Sequence, residues 1–373
     1  MKRIAVPTIV AVILLATITA GVEDRPLLGP DTWPKPAAEL GEEYMAFHQP
    51  SFFYQNEYTG AMFFSKDGWK FVANIFYFKL GPELKWGITV SVADPKNNYF
   101  IGKAEIDPTL MKFDPNSAEI SFKDSYIKGR NPNYHIHYVT DKVTVDLNYK
   151  SRVGVWAPAG AGRFKLGAEG KYYYNWAMGA PWADVTGSIT INGKTYPVEG
   201  QGYVDHGHWS VPYNKHNPIW EGFQAWTWEP LDGHMWSVQV FDVITHPAFG
   251  GKRLGVALVI MDDRILCATP KYKITPGDFR RDSRTGVEFP WRFTVNTWPD
   301  APCSISGVSN AKYSWEILDI FDELPAYLRP IIKKFLNRPV YLRAFGEFKG
   351  SVTCGDQKLR LDLPAFHDAN YVR

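Results

Sequence analysis

Short runs of apolar and β-branched residues, separated by polar turn signals, dominate the chain from about residue 52 onward. Residues 71–78 form one such run after an Asp67-Gly68 turn, and others recur at 86–92, 118–122 and 135–148. Runs of this length predict antiparallel strands in a sandwich or barrel, not strands alternating with helices. Residues 184–191 and 194–198 flank Asn192-Gly193, a tight-hairpin signal because both turn positions need positive φ. A second hairpin is predicted from 224–228 to 235–241 around Asp232-Gly233. Only residues 315–336 carry helical spacing, and Pro325 and Pro330 divide them into two short helices. Strands resume at 342–353 and 358–363.

Four glycines among residues 160–170 make that stretch the best linker candidate. The pattern therefore reads as mainly β, in two barrel-like halves over residues 45–165 and 171–373. An irregular, proline-containing lead-in over 22–44 precedes them, and the helical insertion 315–336 sits in the second half. Packing against a barrel wall is the plainest role for that insertion; a lid and a dock on a membrane surface are the alternatives.

The first residues differ in kind. Met1-Lys2-Arg3, an apolar run over 4–18 and the small residues Thr19-Ala20-Gly21 have the pattern of a secretory signal at 1–21, which predicts an exported protein, with an uncleaved anchor as the alternative. The whole chain has 373 residues, 45% of them hydrophobic, ample for a sizeable core. Lys and Arg number 41 against 39 Asp and Glu; without Lys2 and Arg3 the balance is 39 to 39, which argues against nucleic acid as a partner. Cys267, Cys303 and Cys354 allow one internal bridge at most, with three pairings open. There is no Gly-x-Gly-x-x-Gly, Walker loop, His-Glu-x-x-His, Cys-x-x-Cys or Gly-x-Ser-x-Gly, so no cofactor seat or serine elbow is visible.

Residues 172–236 change character. Aromatic residues crowd there (Tyr174, Trp176, Trp209, Trp226 and Trp228 among them) around Gly202-Tyr203-Val204-Asp205-His206-Gly207-His208. If this segment is a strand, Tyr203, Asp205 and Trp209 share one face, and His206 and His208 the other. A carboxyl among rings is desolvated and held protonated, fit to act as a general acid, and ring faces stabilise a cation made by its proton. The blander reading is a half-buried strand whose Asp205 accepts backbone N–H bonds. His206, His208 and His216 form a zinc alternative, weakened because Asp205 faces away from the two histidines. His135-x-His137 reads as exposed strand residues.

Three local patterns carry a resemblance: Tyr172-Tyr173 separated by seven residues from Pro181, the Val185-x-Gly187-x-Ile189-x-Ile191-x-Gly193 hairpin, and Gly200-x-Gly202-Tyr203-x-Asp205-His206. Together they resemble the lipocalin-like carotenoid hydratase (hydroxyneurosporene synthase) family, with its AttH-like, kievitone hydratase and fungal Diels-Alderase relatives. The resemblance implies two lipocalin-like domains around a ligand cavity, an apolar polyene or prenyl-like substrate, and neither cofactor nor metal. It also implies Tyr203 and Asp205 as the acid site, with Trp176 matching an upstream tryptophan. Tyr174 stands where that family has histidine, and Gly207-His208 interrupts its usual continuation after Asp-His. The expectation is an exported hydratase or cyclase with Asp205 and Tyr203 catalytic. Tyr174, Trp176, His206, Trp209, Trp226 and Trp228 would line the substrate. A non-catalytic carrier of an apolar ligand and a pericyclic, Diels-Alderase-like cyclase are the alternatives.

Overall fold

The computed structural model describes residues 40–51, 54–80, 82–158, 163–166, 172–210, 219–245, 253–319 and 339–372. The expected signal segment, His216 and residues 320–336 lie outside them. Strands β1 (Tyr54–Ser65), β2 (Lys70–Leu80), β3 (Glu83–Ala93) and β4 (Tyr99–Ile106) form a meander. Short β5 (Lys112–Phe113), β6 (Ile120–Phe122) and β7 (Ser125–Arg130) lead to β8 (Asn133–Val139) and β9 (Val143–Ser151). β10 (Arg163–Leu166), β11 (Tyr172–Ile191) and β12 (Lys194–Trp209) complete a first sheet of 12 strands. Its order is β4-β3-β2-β1-β12-β11-β9-β8-β7-β6-β5, with β10 on β11.

The second sheet opens with β13 (Ile219–Trp226), β14 (Trp236–Ile244), β15 (Arg253–Met261) and β16 (Arg264–Thr269). It continues through β17 (Tyr272–Arg281), β18 (Glu288–Thr297), β19 (Cys303–Asp319), β20 (Pro339–Cys354) and β21 (Gln357–Val372). These 9 strands run in the order β16-β15-β14-β13-β21-β20-β19-β18-β17. Both sheets are antiparallel and curl into half-barrels, as the alternating pattern predicts. Sheet membership changes between Trp209 and Ile219: β11 and β12 are bonded to β9 and β1 of the first sheet, and part of the glycine-rich stretch is β10.

The predicted hairpins are present. Asn192 and Gly193 have φ of 50° and 78°, and Asp232 and Gly233 have 51° and 80°. Cys303 and Cys354 face each other across β19 and β20 and form the disulfide, leaving Cys267 buried and free.

The helical insertion is corrected where the structure describes it. Trp315–Asp319 belong to the end of β19, and no α-helix occurs among the described residues. Two irregularities, between Ala311 and Tyr313 and between Ser314 and Glu316, shift the phase of that strand. A bulge puts neighbouring residues on one face, so Trp315 and Glu316 are both buried; the apolar positions that carry the helical spacing from 321 to 335 lie outside the described residues.

Four clusters of buried apolar residues explain the assembly. One fills the first sheet's interior, with Phe63, Ile75, Tyr138 and Leu147. Another fills the second, with Phe223, Val240, Phe293 and Leu342. The other two mix residues of both sheets: Trp176 and Trp209 meet Phe241 and Leu258, and Phe64 and Trp182 meet Trp226 and Phe366. Burying each such side chain contributes about 2 kcal/mol. Polar contacts cross as well, Gln239 Nε2 donating to the Pro181 carbonyl at 2.8 Å and Gln201 Nε2 to the Thr227 carbonyl at 3.1 Å. β1 and the Gln201–Trp209 half of β12 are thus covered on both faces, one toward the first interior and one toward the second sheet.

Candidate active site

In the β1–β12 register, Gly60 lies opposite Asp205, Thr59 opposite His206 and Glu57 opposite His208. Directly paired residues share a face, so this register sends Tyr58 and Asp205 toward the second sheet. It sends Glu57, His206 and His208 into the first interior, which gives the face assignment expected from alternation.

Asp205 is 5% exposed. The Tyr58 hydroxyl and the Trp176 indole N–H both donate to its Oδ2, each at 3.0 Å. Two glycines make this geometry possible. A Cβ on Gly60 would lie 2.5 Å from Asp205 Oδ1, and one on Gly207 would lie 2.3 Å from the Tyr58 ring. The carboxyl therefore lies over Gly60 and the phenol over Gly207. Trp209 meets Tyr58 edge-on at 5.7 Å, and Tyr174 lies 6.1 Å from Trp209. From the second sheet, Phe241 and Trp220 pack on Trp176 at 5.0 and 5.7 Å.

Burial pushes the Asp205 carboxyl up to about 6, against the pull of its hydrogen bonds from Trp176 and Tyr58. Asp368 is likewise lifted by burial to about 6, with Arg343 drawing it down and Glu316 pushing it up. Arg343 is paired with Glu316, which also accepts from Ser91 at 2.6 Å and Tyr99 at 2.8 Å in the first sheet. Tyr203 hydrogen-bonds Gln224, and burial raises its phenol far above the ordinary range. Gln224 Oε1 and Asp368 Oδ1 are buried with no hydrogen-bond partner among the described residues.

Behind β12 lies a different environment. Glu57 is fully buried, with His48 Nδ1 at 2.7 Å and His206 Nε2 at 2.9 Å from its Oε1. Burial alone would raise this carboxyl, but hydrogen bonds from His206 and His48 and the charge of His208 hold it down at about 2.

Of the residues singled out in sequence, the structure brings Asp205, Trp176, Tyr174 and Trp209 into one cluster and sets Tyr203 two positions along the same face. His206 faces the other way. Trp226 and Trp228 belong to the second inter-sheet cluster, where Trp226 packs on Phe64 at 5.7 Å. Tyr58, Gly60, Glu57 and His48 were not singled out. Their available signal is Gln55 and Glu57 at alternate positions of a strand otherwise rich in aromatic and small residues.

The Svf1 family model matches residues 97–349. The chain belongs to the Svf1 family. No curated protein matches it. Among solved structures, this Svf1-family chain resembles the AttH-like protein of Nitrosomonas europaea, with TM-score 0.60 and 16% identity over 94% of this chain and 100% of that one. CghA with bound Sch210972 gives TM-score 0.59 and 10% identity over 93% of this chain and 98% of that one. Kievitone hydratase from Nectria haematococca gives TM-score 0.53 and 16% identity over 91% and 97%. The resemblance read from the local patterns thus holds at the level of fold.

Proposed function

We propose that this protein is an exported hydratase- or cyclase-type enzyme that acts on a C=C bond of an apolar isoprenoid or polyene-like molecule, with Asp205 as its acid. The observation that carries this reading is a buried carboxyl between two sheets, held by two neutral N–H and O–H donors and ringed by aromatic side chains. A hydratase and CghA among the structural neighbours support the reaction class. The disulfide Cys303–Cys354 fits an oxidising compartment outside the cytoplasm.

In hydration, the Asp205 O–H gives its proton to one alkene carbon, and the π electrons form the new C–H bond. The adjacent carbon becomes a cation facing Trp176, Trp209, Tyr174 and Tyr58, whose ring faces attract positive charge. Water then forms the C–O bond and returns one proton to Asp205. In cyclisation, a second C=C supplies the electron pair in place of water, forming a C–C bond, and the cation left on its far carbon loses a neighbouring proton to the Asp205 carboxylate as a new C=C forms. The unpartnered oxygens of Gln224 and Asp368 are acceptors available to orient a water or a substrate hydroxyl on this side. Tyr203 keeps its proton at any working pH and so serves as a donor, positioned by Gln224.

The test starts with solvent extraction and native mass spectrometry of the protein purified from its own cells, to identify a copurifying apolar molecule. That molecule is then offered to wild-type and Asp205→Asn protein. Turnover lost in the variant with binding retained supports the acid role. Binding without turnover in both makes the protein a carrier, and undiminished turnover in the variant points to ring closure that needs no proton.

A further inference from the structure

The inward face of β1 and β12 carries donors that the reading of Asp205 does not use. His48, Glu57 and His208 each offer one ligand atom, and these atoms lie within 4.8 Å of one another. We propose that they bind one divalent transition-metal ion, with zinc the best match to two imidazoles and a carboxylate.

The backbone already sets two of the three ligands, because Glu57 and His208 are direct partners in the β1–β12 register. The third comes from the segment before β1, where the His48 ring stacks on the His208 ring at 4.5 Å. The His48 backbone N–H also donates to both Glu57 oxygens, at 3.1 Å each, fixing the segment to the carboxylate. Zinc bonds of about 2.0–2.1 Å in a tetrahedron place ligand atoms about 3.3 Å apart. Here the two rings approach different oxygens of Glu57, His48 Nδ1 lying 2.7 Å from Oε1 and His208 Nε2 3.9 Å from Oε2, and with all three ligand atoms within 4.8 Å the site closes on an ion by side-chain rotation alone.

The surroundings are those of a supported site. His206 bonds Glu57 through Nε2 at 2.9 Å and is itself oriented by the Tyr44 carbonyl, 3.0 Å from its Nδ1. Outer partners of this kind fix the direction of a liganding carboxylate. Tyr173 Oη and Gln55 Nε2 each lie 2.7 Å from His208 Nε2, so an ion that takes this nitrogen's lone pair displaces both contacts. Glu57 and His208 are buried, but 43% of the His48 side chain is exposed, which supplies an entry route. Three protein ligands leave a fourth position for water, on the opposite side of β12 from Asp205.

The experiment strips the full-length protein with a chelator and titrates it with cobalt(II), then zinc, following visible ligand-field bands and melting temperature. The expected result is one cobalt per chain, displaced by zinc, with a raised melting temperature. His48→Ala, at an exposed position, should stay folded and weaken binding by about 100-fold or more. Glu57→Gln, checked for folding by circular dichroism, should do the same. No uptake by the wild-type chain overturns the proposal. So does uptake that is unchanged in His48→Ala, or lost only in His137→Ala, which would place the ion on the surface pair His135 and His137 beside Asp146.

Discussion

Asp205 and Glu57 are carboxylates on adjacent strands of one sheet, both buried, and they face opposite sides. Glu57 has imidazoles as partners; burial alone would raise it, but their hydrogen bonds and the charge of His208 hold it down, at about 2. Asp205 has a phenol and an indole, donors without charge, and burial prevails, at about 6. Burial is thus not what separates them; the cluster of imidazoles around Glu57, against a phenol and an indole on Asp205, is. One environment makes a fixed anion suited to holding cations. The other makes a carboxyl that carries a proton near neutral pH.

The largest effect should come from Asp205→Asn, which removes the proton but keeps the shape. Turnover of the identified substrate is expected to fall by about 10²- to 10⁴-fold, the usual worth of a positioned general acid. Stability should move the other way from intuition. Because the folded-state value is raised, Asp205 adds stability that is fully present below its unfolded value near 4 and lost as pH rises through about 6. The variant should therefore melt no lower than wild type at pH 7.5, and a melting temperature well below wild type would break the contrast with Glu57. Next in size, Glu57→Gln strips a buried anion from its imidazoles and should cost about 3 kcal/mol in denaturant unfolding. A loss of only a few tenths would place both carboxylates in the same class.

Gly60→Ala sharpens the comparison by acting on one face alone. Its Cβ would sit 2.5 Å from Asp205 Oδ1 and 2.9 Å from Asn74 Oδ1, so the carboxyl must move. Overpacking of this kind costs about 1–3 kcal/mol. Turnover should drop while metal uptake at His48, Glu57 and His208 is unchanged; equal damage to both would show that β1 responds as a unit.

These residues also show what was legible beforehand. The hairpins were readable because Asn192-Gly193 and Asp232-Gly233 must adopt positive φ whatever surrounds them. Asp205 and Trp176 stood out because they share one aromatic segment with a family-like pattern. Tyr58 is 147 residues from Asp205, and nothing local announces that β1 lies beside β12. Gly60 and Gly207 became meaningful only when the groups lying over them were known. Residues 315–319 take the end of β19 because the helical spacing belongs to the apolar positions after them, and nothing local marks where a strand as long as β19 stops. Sheet membership was blurred for a related reason: β11 and β12 follow a glycine-rich stretch, yet their partners are the first sheet's β9 and β1.

The smallest expected effect isolates a single hydrogen bond. The Trp176 indole N–H favours the ionised form of Asp205, so Trp176→Phe removes a pull that lowers its value and keeps most of the ring. A hydrogen bond to a charged group is worth about 1.5–3 kcal/mol, of which an exposed-chain reference recovers part, so a rise of about one pH unit is expected. An acid catalyst loses activity as pH rises through its value. The descending limb of the rate profile, near pH 6 in the wild type, should therefore move upward by about one unit in Trp176→Phe. The variant would be faster than wild type, relative to its own maximum, at pH 7. A limb that stays in place would mean that the titrating group is not Asp205, and the partly analogous Asp368, also near 6, would become the group to replace next.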